Sequence, residues 1–162
     1  MRGQWRKLLT LAARDSVLVA LTLWLWAGPP AGIPMAVLAA LATTLVGYLA
    51  HEWGHLAGCL VGGARFELPA HPFASPFLFK FDRSSSRPQF FAMALGGFAA
   101  SILTVAVLLW LLPWDALAGQ VALALVGLGV GATLAIEVPE FLRVWRGAPL
   151  PDGAAFVSGD KP

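Results

Sequence analysis

His51-Glu52-Trp53-Gly54-His55 places two imidazoles four residues apart, with a carboxylate beside the first. On a helix, positions i and i+4 project from one face about one turn apart. That is the spacing that grips a single zinc ion. Glu52 has the chemistry of a general base, able to take a proton from water and return it to a leaving nitrogen. The pentapeptide lies inside an apolar run long enough to cross a bilayer, where ionisable side chains are costly and mark functional sites. Two histidines on the surface of a soluble helix are the ordinary alternative, and the apolar setting argues against it.

The elements that must position these residues follow from composition. The chain has 162 residues, 58% hydrophobic and only 12% charged, with a mean hydropathy of +0.73. Soluble domains run at about 25% charged residues, so an all-α integral membrane protein is expected, its helices satisfying their own backbone groups in lipid. Apolar segments at about 14–30, 33–62, 89–112 and 116–142 give four transmembrane helices, the last three forming the core. Residues 1–13 are then an N-terminal tail, 63–88 a loop and 143–162 a C-terminal tail. The first span is the weakest, because its uninterrupted apolar stretch, Ser16 to Ala27, is short. It needs Arg14 to snorkel or the Gly28-Pro29-Pro30 turn to lie in the interface. Arg2, Arg6 and Lys7 before it also suit a signal peptide, but an anchoring helix is the reading taken. A single cysteine, Cys59, excludes an internal disulfide framework.

Charge placement fixes an expected orientation. The eleven Lys and Arg residues fall in three groups: Arg2, Arg6, Lys7 and Arg14; Arg65, Lys80, Arg83 and Arg87; and Arg143, Arg146 and Lys161. Four spans put all three groups on one side, which the positive-inside rule makes cytoplasmic. Both termini are therefore expected in the cytoplasm. Trp24, Trp26, Trp110 and Trp114 fall at the opposite ends, as an interfacial belt would. A multi-pass protein of the cell membrane, compatible with a bacterial inner membrane, is expected, with the lipid bilayer as its surroundings and no nucleic-acid partner. Oligomeric state is left open.

Depth selects the third ligand. The second span enters at about Ile33, so His51 lies roughly 27 Å along it at 1.5 Å per residue. The fourth enters at about Ala118 in the same direction, bringing Glu137 level with His51 and Glu140 level with His55. A carboxylate opposite two histidines completes a three-ligand zinc site, with the fourth position left for water. Glu140 has a second explanation, an i,i+3 ion pair with Arg143. Glu137 sits a turn deeper without an adjacent cation, and Pro139 should bend the helix there. Glu137 is thus the preferred third ligand, with Glu140 and then Asp152 in reserve. Asp115 lies at the wrong end, His71 belongs to the loop, and Cys59 is better explained by packing than by metal.

By these residues the chain resembles the site-2 protease family of intramembrane zinc metallopeptidases, from about Val37 to Phe156. His51-Glu52-Trp53-Gly54-His55 matches that family's HExGH pattern at each fixed position. The proline-broken segment from Ala64 to Asp82 resembles the partly strand-like loop that receives substrate there as an added strand. Ala94-Leu95-Gly96-Gly97-Phe98-Ala99-Ala100-Ser101 is similar to its small-residue stretch, which lets helices approach closely, as Gly127 and Gly131 would in the fourth span. The departure is at the third ligand. The family usually supplies an Asp, often followed by Gly, and here Asp152-Gly153 lies past the last span.

The resemblance implies zinc-dependent hydrolysis of a peptide bond in or near a transmembrane segment of another membrane protein, on the cytoplasmic side. Glu52 would be the catalytic base, and His51, His55 and Glu137 the ligands. The rival is a non-proteolytic metal-binding membrane protein, either a degenerate protease acting as a chaperone or a metal carrier. Glu52 speaks against it, since a binding site needs no base. A carrier would also show further ligands along a path.

Overall fold

The computed structural model describes residues 2–28, 32–71, 79–82 and 84–151. Four helices, α1 (Arg2–Leu25), α2 (Gly32–Gly62), α3 (Arg87–Leu111) and α4 (Leu117–Trp145), carry the chain, and a short hairpin interrupts them. All four are long and apolar enough to cross a membrane, over Gln4–Leu25, Gly32–Gly62, Arg87–Leu111 and Leu117–Trp145. The hairpin pairs β1 (Phe66–Glu67) with β2 (Lys80–Phe81) antiparallel, Phe66 opposite Phe81 and Glu67 opposite Lys80. The helical membrane class read from composition therefore holds, with this small sheet added.

The first helix differs from expectation. It begins at Arg2 rather than near residue 14, so the segment read as a tail is helical, and it ends at Leu25. Its basic early turns are helical because Lys7 and Leu11 have partners. The Lys7 Nζ donates to the Leu68 carbonyl at 3.3 Å, and Leu11 is buried in the core that also holds Leu56 and Leu68. At the other end α4 continues to Trp145, through Pro139.

Helices α2 and α3 form the centre, and glycine is why they approach so closely. A Cβ on Gly54 would lie 2.4 Å from the Ala100 Cβ and 2.5 Å from the Gly96 carbonyl oxygen. One on Gly58 would lie 2.2 Å from the Ala92 oxygen, and one on Gly62 would meet the Ala92 Cβ at 2.9 Å. Gly54, Gly58 and Gly62 recur every four residues and so share one face of α2, as Ala92, Gly96 and Ala100 do on α3. Small side chains on both faces let the two backbones touch, the usual means of helix association in lipid. Gly127 and Gly131 of α4, read as a similar contact, do not serve that way. Among the described residues, nothing beyond their own helix backbone lies within 4 Å of where their Cβ atoms would be.

Helix ends are fixed locally. Gly63, at φ +65°, closes α2 in a Schellman motif, with Ala64 N–H donating to Cys59 O at 2.8 Å and Gly63 N–H to Leu60 O at 3.3 Å. The Gln89 side chain caps α3 by accepting from Ser86 N–H at 2.7 Å and ties it to α2 by donating to Gly63 O at 2.8 Å. The turn from β2 into α3 is held partly by Asp82, whose carboxylate accepts from Ser84 N–H at 2.8 Å. That bond holds the Asp82 carboxyl below its ordinary range. Phe79, Phe81, Phe90, Met93 and Val144 join the hairpin, α3 and α4 in one core with Leu56 and Cys59. Trp24, Trp110 and Trp114 are exposed, as an interfacial belt requires, whereas Trp26, expected with them, is half-buried and donates to the Thr43 hydroxyl at 3.0 Å.

Candidate metal centre

His51, His55 and Glu137 meet inside the helical bundle, each about 3–4% exposed. The His51 Nε2 lies 2.9 Å from the His55 Nε2 and 3.0 Å from the Glu137 Oε1. The His55 Nε2 is 3.4 Å from each carboxylate oxygen of Glu137. The two imidazoles stand nearly perpendicular, at 82° with centroids 4.3 Å apart, which aims both Nε2 atoms at one point. One ligand atom from each residue lies within 4.8 Å of the others. Tetrahedral zinc with bonds of about 2.0–2.1 Å separates its ligand atoms by roughly 3.3 Å. The observed spacings sit close to that value.

Helix α3 supplies the orientation of both rings, and this was not foreseen from sequence. The His55 Nδ1 donates to the Met93 carbonyl at 2.9 Å. The His51 Nδ1 lies 2.8 Å from the Ser101 Oγ and 3.1 Å from the Gly97 carbonyl. A carbonyl can only accept, so the proton of neutral His55 is on Nδ1 and its Nε2 carries a lone pair. Outer partners of this kind fix the tautomer of metal-binding histidines. Gly97 also leaves the space His55 occupies, since a Cβ there would lie 2.2 Å from the ring Cε1.

Left to themselves these groups are poorly matched. The lone pair of His55, the inward nitrogen of His51 and a carboxylate converge, with more acceptors than protons to share. The Glu137 Oε2 is buried and makes no hydrogen bond among the described residues. A buried oxygen left without a hydrogen bond costs on the order of 1–3 kcal/mol, and orphaned polar atoms call for an explanation such as an ion. A cation at the point of convergence would satisfy all three side chains at once. The donor set, two imidazole nitrogens and one carboxylate, suits a divalent transition metal.

The other candidates go elsewhere. Glu140 is turned to Arg143, whose Nε donates to its Oε2 at 2.8 Å, so the ion-pair explanation holds for it. Asp152 lies outside the described residues. Cys59 is fully buried in the hydrophobic core and is not among the grouped ligands. His71 and Asp115 are exposed. Glu52 is buried at 3% exposure next to His51.

A second polar contact on the far side of α2 also escaped sequence reading. Asp15 of α1 is buried, pairs with the Arg14 Nε at 2.6 Å and accepts from the Trp53 indole N–H at 2.8 Å. Trp53, the variable residue of the pentapeptide, thereby fastens the first helix to the one that bears the histidines. Its only sequence signal was a carboxylate next to Arg14 inside an apolar run.

Comparison with protein-family models, with curated proteins and with solved structures finds no match to this chain. The class defined by fold and site is thus a four-helix membrane protein with a buried two-histidine, one-carboxylate group that could hold a metal ion.

Proposed function

We propose that the chain is an intramembrane zinc metalloprotease, similar to the site-2 protease family, acting on a transmembrane or juxtamembrane segment of another membrane protein. The observation that carries the reading is the convergence of His51, His55 and Glu137 on one buried point, with Glu52 adjacent on the same helix. Zinc held there would polarise a peptide carbonyl and acidify water towards neutrality. His51, His55 and Glu137 would hold the ion. Ser101, Gly97 and Met93 would keep the imidazoles turned towards it. Glu52 would accept the proton of the attacking water and deliver it to the departing amide nitrogen.

A helical substrate has no free scissile carbonyl and must unwind locally. The β1–β2 hairpin offers a place to hold an unwound segment, because a two-stranded sheet leaves backbone donors and acceptors on its outer edges. Phe79 and Phe81 share a core with Leu56 and Met93, which couples the hairpin to the helices that carry the site. The distribution of Lys and Arg supports a cytoplasmic location for both termini and for the hairpin.

The rival of a metal-binding protein without hydrolytic activity is separated by one variant. Incubating purified protein in nanodiscs with labelled single-span membrane peptides, we expect Glu52→Ala to retain the metal and lose cleavage by about 10²–10⁴-fold, the range for a general base. Undiminished cleavage by Glu52→Ala would remove the base assignment. Absence of metal-dependent cleavage in the wild type across the peptide set would favour the rival.

A further inference from the structure

A small cavity of about 160 Å³ lies between the N-terminal turns of α1 and the segment after β1, lined by Arg6, Lys7, Thr10, Leu11, Pro69, Ala70 and His71. Three of those side chains offer N–H donors, two of them permanently cationic near neutral pH. Among the described residues no carboxylate lines the cavity, and neither Arg6 nor Lys7 has an acidic partner. In a chain with nearly as many acids as bases, an unbalanced group of donors around a recess calls for an anion.

The cavity is built rather than incidental. Lys7 spends one of its three ammonium protons on the Leu68 carbonyl, which holds its charge against the segment that forms the opposite wall. Leu11, at 2% exposure, anchors the same turn in the core, and Thr10 is fastened to the Arg6 carbonyl at 2.9 Å. The guanidinium of Arg6, with no acidic partner among the described residues, offers a fork to two oxygens of one group, the geometry that suits phosphate.

Position decides the ligand. Arg6 and Lys7 fall in the first turns of a candidate span, Gln4–Leu25, so they stand at the level of lipid headgroups. Leu8, one residue on, is partly buried and packs against the core, while Trp5 and Leu9 are exposed and face the hydrocarbon boundary, where an acyl chain would run. Basic recesses beside membrane helices bind phosphorylated headgroups by this arrangement. We propose that Arg6, Lys7 and His71 form a binding site for the phosphate of an anionic phospholipid, seated between α1 and the segment that leads out of β1. Bound lipid would tie the first helix to the segment that leads out of β1. This site is independent of the metal centre and of any hydrolytic activity.

The test is native mass spectrometry of the full chain in detergent, titrated with phosphatidylglycerol, phosphatidylcholine or inorganic phosphate. The wild type is expected to retain phosphatidylglycerol in preference to phosphatidylcholine. The double variant Arg6→Gln, Lys7→Gln should lower that retention by roughly tenfold or more, given about 1 kcal/mol per surface cation. His71→Ala, in the connecting segment and outside any helix, should lower it less and serves as the deciding variant if the double one misfolds. Arg65→Gln with Arg146→Gln removes the same charge elsewhere and should leave retention unchanged. An equal loss in both double variants would mean a diffuse positive field and overturn the site. Binding of inorganic phosphate with no preference for phosphatidylglycerol would assign the cavity to a free oxyanion and overturn the lipid assignment. No loss on His71→Ala together with none on the Arg6, Lys7 variant would also overturn it.

Discussion

At the scale of single residues, the candidate metal site divides into what spacing reveals and what it hides. The histidine pair is legible because i,i+4 is a fixed geometric relation within one helix. Glu137 is legible from depth, since two helices entering from the same side count residues at the same rise. Its partner Glu140 is accounted for by Arg143, three residues on. Ser101 and the Met93 and Gly97 carbonyls are not legible, because contact between α2 and α3 depends on helix rotation and crossing, which no local pattern encodes. Ser101 was visible only as one small residue among several. Its hydroxyl, 2.8 Å from the His51 Nδ1, should matter through the ring it orients. Ser101→Ala is expected to weaken zinc affinity by about 10–100-fold, the usual effect of losing such a partner. Competition with a chelating indicator would measure this, and unchanged affinity would show that Gly97 O alone holds the ring.

At the scale of elements, the close crossing of α2 and α3 does most of the positioning. Hydropathy found the apolar spans but misplaced the start of α1, because Arg2, Arg6 and Lys7 read as a solvated tail, whereas Lys7 bonds to Leu68 and Leu11 is buried in the core. Asp15 was overlooked for a related reason. A carboxylate beside Arg14 carries no local pattern that marks burial, whereas in the fold it is buried and bonded to Trp53. The small-residue stretch of α3 was legible as a contact face, but the glycines of α4 gave the same signal without the contact. Composition shows where helices are able to approach, not where they do. Two substitutions separate these cases. Gly54→Ala drives a methyl into Ala100 and the Gly96 carbonyl and is expected to destabilise by about 1–3 kcal/mol, as overpacking does. Gly127→Ala meets open space and should be neutral or stabilising by up to about 1 kcal/mol through helix propensity. Unfolding of both variants in the same detergent tests the pair, and equal stabilities would contradict the crossing.

At the scale of the whole molecule, four helices are long and apolar enough to cross a membrane. With four spans the charge pattern predicts that the three basic groups share one side, since an odd number would scatter them. Reporter fusions after Lys161 and ahead of Arg2, with a third in the Pro113–Asp115 turn, should report the termini on the cytoplasmic side and the turn on the other. A C-terminus found outside would remove the depth argument that matched Glu137 to His51. From local pattern the hairpin reads only as a proline-broken loop, for strands of two residues leave no alternation to detect, and its strand character was expected from the family resemblance alone.

The most direct measurement is metal content of the purified full chain beside two variants, Glu137→Ala and Glu140→Ala. A centre built from His51, His55 and Glu137 requires stoichiometric zinc in the wild type and in Glu140→Ala, and its loss in Glu137→Ala. Full zinc occupancy in Glu137→Ala would contradict it.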